Sequence, residues 1–247
     1  MSITYFLSHN KTILKPHMKY LLPTKEILKE IYWVGIPASL ETFLTSVAFI
    51  VNNNLAVSYG ELTVASMGIS QKIMSLGSYV YQGFAAGTQP IMGYNYGSKN
   101  FSRMLDVLKA GVFVVTGTEI ALMLVYGIFA PQFIGIFTDS SEVIEIGTKV
   151  LRTLMFILPF VGTVSMCRMA FQAIGKPQYA FSITLVRQLF LYVPLLILFN
   201  NIFSFGGMLW AQPVTEFIMM ISSLALLYHV IKTEERKQLH YTANQQT

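Results

Sequence analysis

Charge is scarce in this chain. Only 12% of its 247 residues are charged while 53% are hydrophobic, about half the charged share of an ordinary soluble domain, which excludes a soluble globular fold. A single cysteine, Cys167, excludes an intramolecular disulfide framework and a cysteine-based metal cluster. No glycine-rich phosphate loop and no histidine pair at metal spacing occurs, so neither ATP-driven pumping nor metalloenzyme chemistry is expected, and the chain reads as no enzyme. The formal charge of +5 is spread over polar breaks and forms no basic stripe, which argues against nucleic acid.

Long apolar runs are abundant. A membrane-spanning helix needs about 20 mostly apolar residues, and the sequence offers six such runs, expected as helices at 30–58, 61–94, 103–130, 141–172, 178–200 and 204–231. Turn chemistry separates them: Tyr59-Gly60, Gly97-Ser98-Lys99-Asn100, Asp139-Ser140-Ser141, Gly175-Lys176-Pro177 and Gly206-Gly207. The expected class is an all-α integral membrane protein with six transmembrane helices over 30–232. A segment 1–29 precedes them and a polar tail, 233–247, follows. Ser2–Leu7 is too short for a signal peptide, and its lysines follow rather than precede the apolar stretch; it reads as the tail of an earlier helix.

Lysine and arginine favour cytoplasmic loops. With the N-terminal segment inside, twelve of the 17 basic residues fall on the cytoplasmic side, while the opposite loops carry Glu61, Asp139 and Glu142. Both termini are therefore expected in the cytoplasm, around a multi-pass protein whose principal environment is the lipid bilayer.

Ionisable groups at membrane depth point to function, because their burial is costly. Glu41, Lys72, Glu119, Arg187 and Glu216 all lie deep in their runs. Three acids against two bases leave one carboxylate without a charge partner, and such a group suits cation coupling; Glu41, Glu119 and Glu216 are the candidates, and Glu41 is the first choice. Glu41 continues through Thr45, Ala48 and Asn52 on one helical face. It serves either coupling or a structural pair with Arg187 or Lys72. Arg168 is expected nearer the inner membrane edge, snorkelling, with no transport role.

A second polar face comprises Gln71, Ser75, Ser78, Gln82 and Gln89. It either lines a substrate cavity or hydrogen-bonds to neighbouring helices. Asn52, Arg187 and Tyr192, with Gln188, extend the cavity reading. The 18 Phe, 13 Tyr and 13 Met residues supply compliant apolar and aromatic surface suited to amphipathic cations. Pro90 interrupts a helical ladder flanked by Gly87 and Gly93, which marks either a packing kink or a hinge.

Three stretches resemble a known family. They are Gly35-Ile36-Pro37-Ala38 followed by Val51-Asn52-Asn53-Asn54 and Tyr59-Gly60; Gly83-Phe84-Ala85-Ala86-Gly87-Thr88-Gln89-Pro90-Ile91-Met92-Gly93-Tyr94-Asn95-Tyr96-Gly97-Ser98-Lys99-Asn100; and Phe171-Gln172-Ala173-Ile174-Gly175-Lys176-Pro177 leading to Arg187-Gln188. Together they resemble the second half of multidrug and toxic compound extrusion (MATE) transporters, in the bacterial multidrug-export branch. That resemblance implies one six-helix lobe of a twelve-helix antiporter in the bacterial plasma (inner) membrane. It would export small cationic amphipathic compounds against a proton gradient, or less readily sodium, with no bound cofactor. Residues 1–29 would then be the end of the preceding helix and the cytoplasmic inter-lobe loop. The partner would be a first MATE lobe or a second copy of this one. An acidic residue occurs in the first helix of some branches, farther from the proline than Glu41 is from Pro37. The second-lobe aspartate of the sodium-coupled branch falls on Thr163, which weighs against sodium. A lipid-linked saccharide flippase of the same wider fold is the alternative, as is a lobe inactive without its partner.

Overall fold

The computed structural model describes residues 24–245. The expectations for most of the 1–29 segment and for the last two residues of the tail lie outside that range. Contacts divide the chain at Ser39–Leu40, and every contact below lies within 40–247.

The described residues are helical between short turns. Helix α1 is Lys25–Val57, α2 Glu61–Gly97 and α3 Phe101–Gly135. Helix α4, Ser141–Leu154, passes through a 3₁₀ turn at Met155–Ile157 into α5, Leu158–Ala173. Helix α6, Pro177–Leu185, continues through a π turn at Val186–Tyr192 into α7, Val193–Gln245. The first helix begins five residues before the expected start, and the polar tail continues α7 as helix to Gln245. Gly60 and Gly175 turn the chain with φ of 100° and 72°, values that favour glycine, and the Asn100 side chain caps α3 by accepting from the Arg103 amide.

Prolines account for the irregular turns. Pro159 cannot donate to the Met155 carbonyl four residues back, so the Leu158 amide takes that acceptor and tightens the turn to 3₁₀. Pro131 likewise frees the Gly127 carbonyl. The backbone bends at Phe129, and Arg152 from α4 donates its Nε–H to Gly127 at 3.1 Å. The π turn ends just before Pro194, with the Val193 amide bonded to the Gln188 carbonyl.

Helix α7 contains a reversal. Ser204 has φ 54° and ψ −143°, and the ion pairs Arg187–Glu216 and Lys176–Glu234 both join residues from opposite sides of it. The chain therefore folds back at Ser204. This conformation suits glycine better than serine, so Ser204→Gly is expected to raise stability by about 1 kcal/mol, after allowing for the extra chain entropy of glycine. Thermal unfolding of the purified variant checks this.

Among the described residues, four stretches are long and apolar enough to cross a membrane: Lys25–Val57, Phe101–Gly135, Ser141–Ala173 and Pro177–Arg236. Six runs were expected. The last two expected runs are joined in one continuous stretch, and α2 carries the polar face that lowers its apolarity.

Close packing holds the bundle. Helices α2 and α4 run side by side, with Ser66 and Ser70 donating to the Val143 and Gly147 carbonyls. Helices α3 and α5 cross where Gly111 faces Met166 and Gly162 faces Val115, small residues allowing close approach in an apolar setting. Phe171, Met166, Met104 and Met92 fill the core at one end, and Leu151, Ile134 and Ile73 fill a second cluster.

Candidate functional site: a polar cavity between helices

A cavity of about 330 Å³ opens among α1, α2, the α4–α5 junction, the π turn and the second arm of α7. Its size lies at the lower end of the range for small-molecule sites. Of the predicted cavity residues, Asn52, Gln71, Ser75, Ser78, Arg187 and Tyr192 line it. Gln82 and Gln89 do not. They sit further along α2, where the Gln82 side chain donates to the Ser78 carbonyl at 3.1 Å. The Ser75 and Ser78 hydroxyls donate back to the carbonyls of Gln71 and Met74, a local pairing that satisfies each hydroxyl proton within the helix and leaves the oxygen free to accept from the cavity side.

The π turn sets this wall. In an α-helix Arg187 and Tyr192 would point about 140° apart. The i→i+5 ladder widens the turn by a residue and brings Arg187, Gln188 and Tyr192 onto the cavity side together. Gln188 donates to the Thr45 hydroxyl of α1 at 3.2 Å.

Two internal ion pairs hold the deep charges. Arg187 bonds Glu216 at 2.8 Å, with the glutamate side chain 3% exposed. Glu41 pairs with Arg168, both half-buried, so neither Arg187 nor Lys72 is its partner. Arg168 thus does not snorkel: the Glu41 carboxylate holds its head inside the bundle. Lys72 is exposed and joins no ion pair among the described residues.

Glu119 differs from the other acids. It is fully buried, and neither carboxylate oxygen has a hydrogen-bond partner. It lies outside the cavity lining. Thr163 is buried on α5 and shares a 3.1 Å hydroxyl contact with Thr116. No cluster of three or more His, Cys, Asp or Glu side chains occurs among the described residues.

The hinge candidates divide. A side-chain carbon added at Gly93 would meet the Ala173 carbonyl at 3.3 Å, whereas Gly87 has open space around it. Helix α2 continues through Pro90 to Gly97.

Sequence reasoning missed Gln212, Thr215 and Tyr81, which also line the cavity. Gln212 and Glu216 are four apart, one helical turn, and that spacing was available as a signal. Tyr81 sits three residues after Ser78 on the polar face already singled out.

The family model described as MatE matches residues 37–198, well over half the chain. The chain belongs to the MatE family. The multidrug export protein MepA of Staphylococcus aureus (strain MSSA476) is 27% identical over 226 residues, covering 92% of this chain and 49% of that protein. MepA of Staphylococcus saprophyticus is 29% identical over the same length and shares. The chain thus spans about half the length of the curated relatives it matches.

Solved structures agree. The crystal structure of MATE in complex with MaL6 superposes with a TM-score of 0.87 at 25% identity, covering 95% of this chain and 54% of that one. A MOP superfamily transporter from Pyrococcus furiosus, described as having a binding pocket of reverse polarity, gives a TM-score of 0.85 at 26% identity over 94% of this chain and 53% of that one. This MatE chain therefore has the MATE transporter fold and is a bacterial membrane protein. Members of the family are transporters rather than enzymes.

Proposed function

We propose that this MatE chain is the six-helix second half of a secondary antiporter that exports cationic amphipathic compounds in exchange for protons. The observation that carries the reading is the cavity, whose lining mixes amide and hydroxyl groups with Phe49, Tyr81, Tyr192 and Met74. Such a surface suits varied amphipathic ligands. The relatives' name, multidrug export protein, agrees with this.

Charge separates the two readings of the wider fold. A lipid-linked saccharide carries phosphate and calls for an excess of positive charge in the cavity. Arg187 is the one basic residue among those lining the cavity, and Glu216 neutralises it. A drug exporter fits this balance better. Thr163, with its hydroxyl already engaged by Thr116, favours protons over sodium. The loop lysines and the hairpin at Ser204 support a reading of six spans with both termini in the cytoplasm, in the bacterial plasma membrane. A first MATE lobe or a second copy supplies the facing wall.

The test is efflux of a cationic dye from liposomes holding a pH gradient. We expect export only when the chain is combined with a complementary half, and collapse of the gradient should abolish it. Export driven by sodium at constant pH would overturn the proton assignment, and export by a cross-linked, diluted monomer would overturn the half-transporter reading.

Within this proposal, the π turn makes a specific prediction. Deleting Phe190, which is exposed within it, should restore an α-helical ladder in which Arg187 and Tyr192 stand four residues apart, about 40° around the helix, and so still share one face. Dye binding, read by fluorescence titration, is then expected to stay within about twofold of the unaltered chain, about 0.4 kcal/mol.

A further inference from the structure

We infer that Glu119 is a proton-binding site inside the helix-packing core, separate from the cavity and connected to it through Tyr81. The side chain is 0% exposed and both its oxygens lack partners. The surrounding groups offer no charge compensation. Arg168 is committed to Glu41 and Arg187 to Glu216, and the Thr116 and Thr163 hydroxyls engage each other. Among the described residues, Tyr81 of α2 and Tyr126 of α3 itself are the titratable groups whose electrostatics Glu119 enters. From α5, Gly162 faces it, and an added side-chain carbon there would lie 3.4 Å from Glu119 Cγ.

An ionised carboxylate without donors or counter-charge is strongly disfavoured in such a place. One proton removes the charge and needs no further ligand. A metal cation would need several oxygen ligands, and one carboxyl beside an already paired threonine couple does not supply them. In this conformation the core therefore holds Glu119 as the carboxylic acid, and proton loss has to await entry of water or a donor.

Tyr81 connects this acid to the cavity. It lines the cavity with Arg187 and Glu216, and a side-chain carbon added at Gly162 would lie 3.7 Å from Tyr81 Cβ as well as 3.4 Å from Glu119 Cγ. The proton and the cavity's occupant thus bind at different places, and loss of the proton acts on the cavity through Tyr81 rather than by taking the occupant's seat. This consequence rests on the exporter reading; proton occupancy itself does not.

The test is infrared spectroscopy of the purified chain in nanodiscs at neutral pH, reading the carbonyl stretch of a buried protonated carboxylic acid. The band is expected in the unaltered chain, absent in Glu119→Gln and displaced in Glu119→Asp. The aspartate variant keeps the test usable if the glutamine variant does not fold. At mildly acidic pH, where protons are in excess of what the coupling can displace, a saturating cationic dye should leave the band in place. No band in the unaltered chain, an unchanged band in Glu119→Gln or Glu119→Asp, loss of the band to the dye at that acidic pH, or loss to sodium at constant pH and ionic strength would each overturn the proposal. A chain that shows the band yet exports nothing when combined with a complementary half refutes the exporter reading alone.

Discussion

Arg187→Met should destabilise the protein by about 3–5 kcal/mol, because it leaves the buried Glu216 carboxylate without its counter-charge. The pair is close, at 2.8 Å, with the glutamate almost fully enclosed. One oxygen, Glu216 Oε2, has no other partner, so nothing stands ready to replace the guanidinium. The double variant Arg187→Met/Glu216→Met is expected to regain most of the loss, since a buried pair replaced by apolar groups of similar volume is often neutral. Thermal unfolding in nanodiscs, arranged as a double-mutant cycle, reads both effects. Equal loss in the single and double variants would show that packing of the arginine stem, not charge, holds the two arms of the hairpin together.

Gly207→Ala is expected to cost about 3 kcal/mol, at the upper end of overpacking effects. An added carbon there would collide with the Phe199 carbonyl and lie 2.7 Å from Phe203 Cβ. The first contact is with backbone, which cannot rotate away as a flexible side chain can. The neighbouring Gly206 meets nothing within 4 Å, so Gly206→Ala should leave stability within about 0.5 kcal/mol. This contrast tests whether the reversal at Ser204 depends on close backbone approach or merely on two adjacent small residues. Equal melting temperatures for the two variants would refute the close-approach account.

Helix positions were legible because apolar runs and turn residues are local signals. Tyr59-Gly60 and Gly175-Lys176-Pro177 mark real turns, and five of the expected helix starts fall within two residues of observed helix starts or the Ser204 break. The 3₁₀ and π turns were less visible. Their prolines could be read directly, but a freed carbonyl can be left to a tighter turn, a wider turn or another helix. Pro159, Pro194 and Pro131 lie beside one of each outcome. Which outcome wins depends on the neighbouring helices.

Pairing of the charges shows the same division. Glu41, Arg187 and Glu216 were recognisable as deep charges from their distance along each run. The partner of Glu41 was not, because Arg168 lies more than a hundred residues away and its reach depends on how α1 and α5 meet. Gln71, Ser75 and Ser78 shared a face by helical spacing alone. Gln82 and Gln89 shared that pattern too, yet the cavity closes before reaching them.

By itself the sequence determined the all-helical membrane class, the turn sites and the identity of the deep charged residues, because hydrophobic run length and charge scarcity act locally. Tertiary structure decided the rest: Arg168 rather than Arg187 beside Glu41, Arg187 with Tyr192 on one wall, and Glu119 alone. These outcomes depend on distances between helices remote in the chain and on the small residues, Gly111 and Gly162, that set how closely those helices approach.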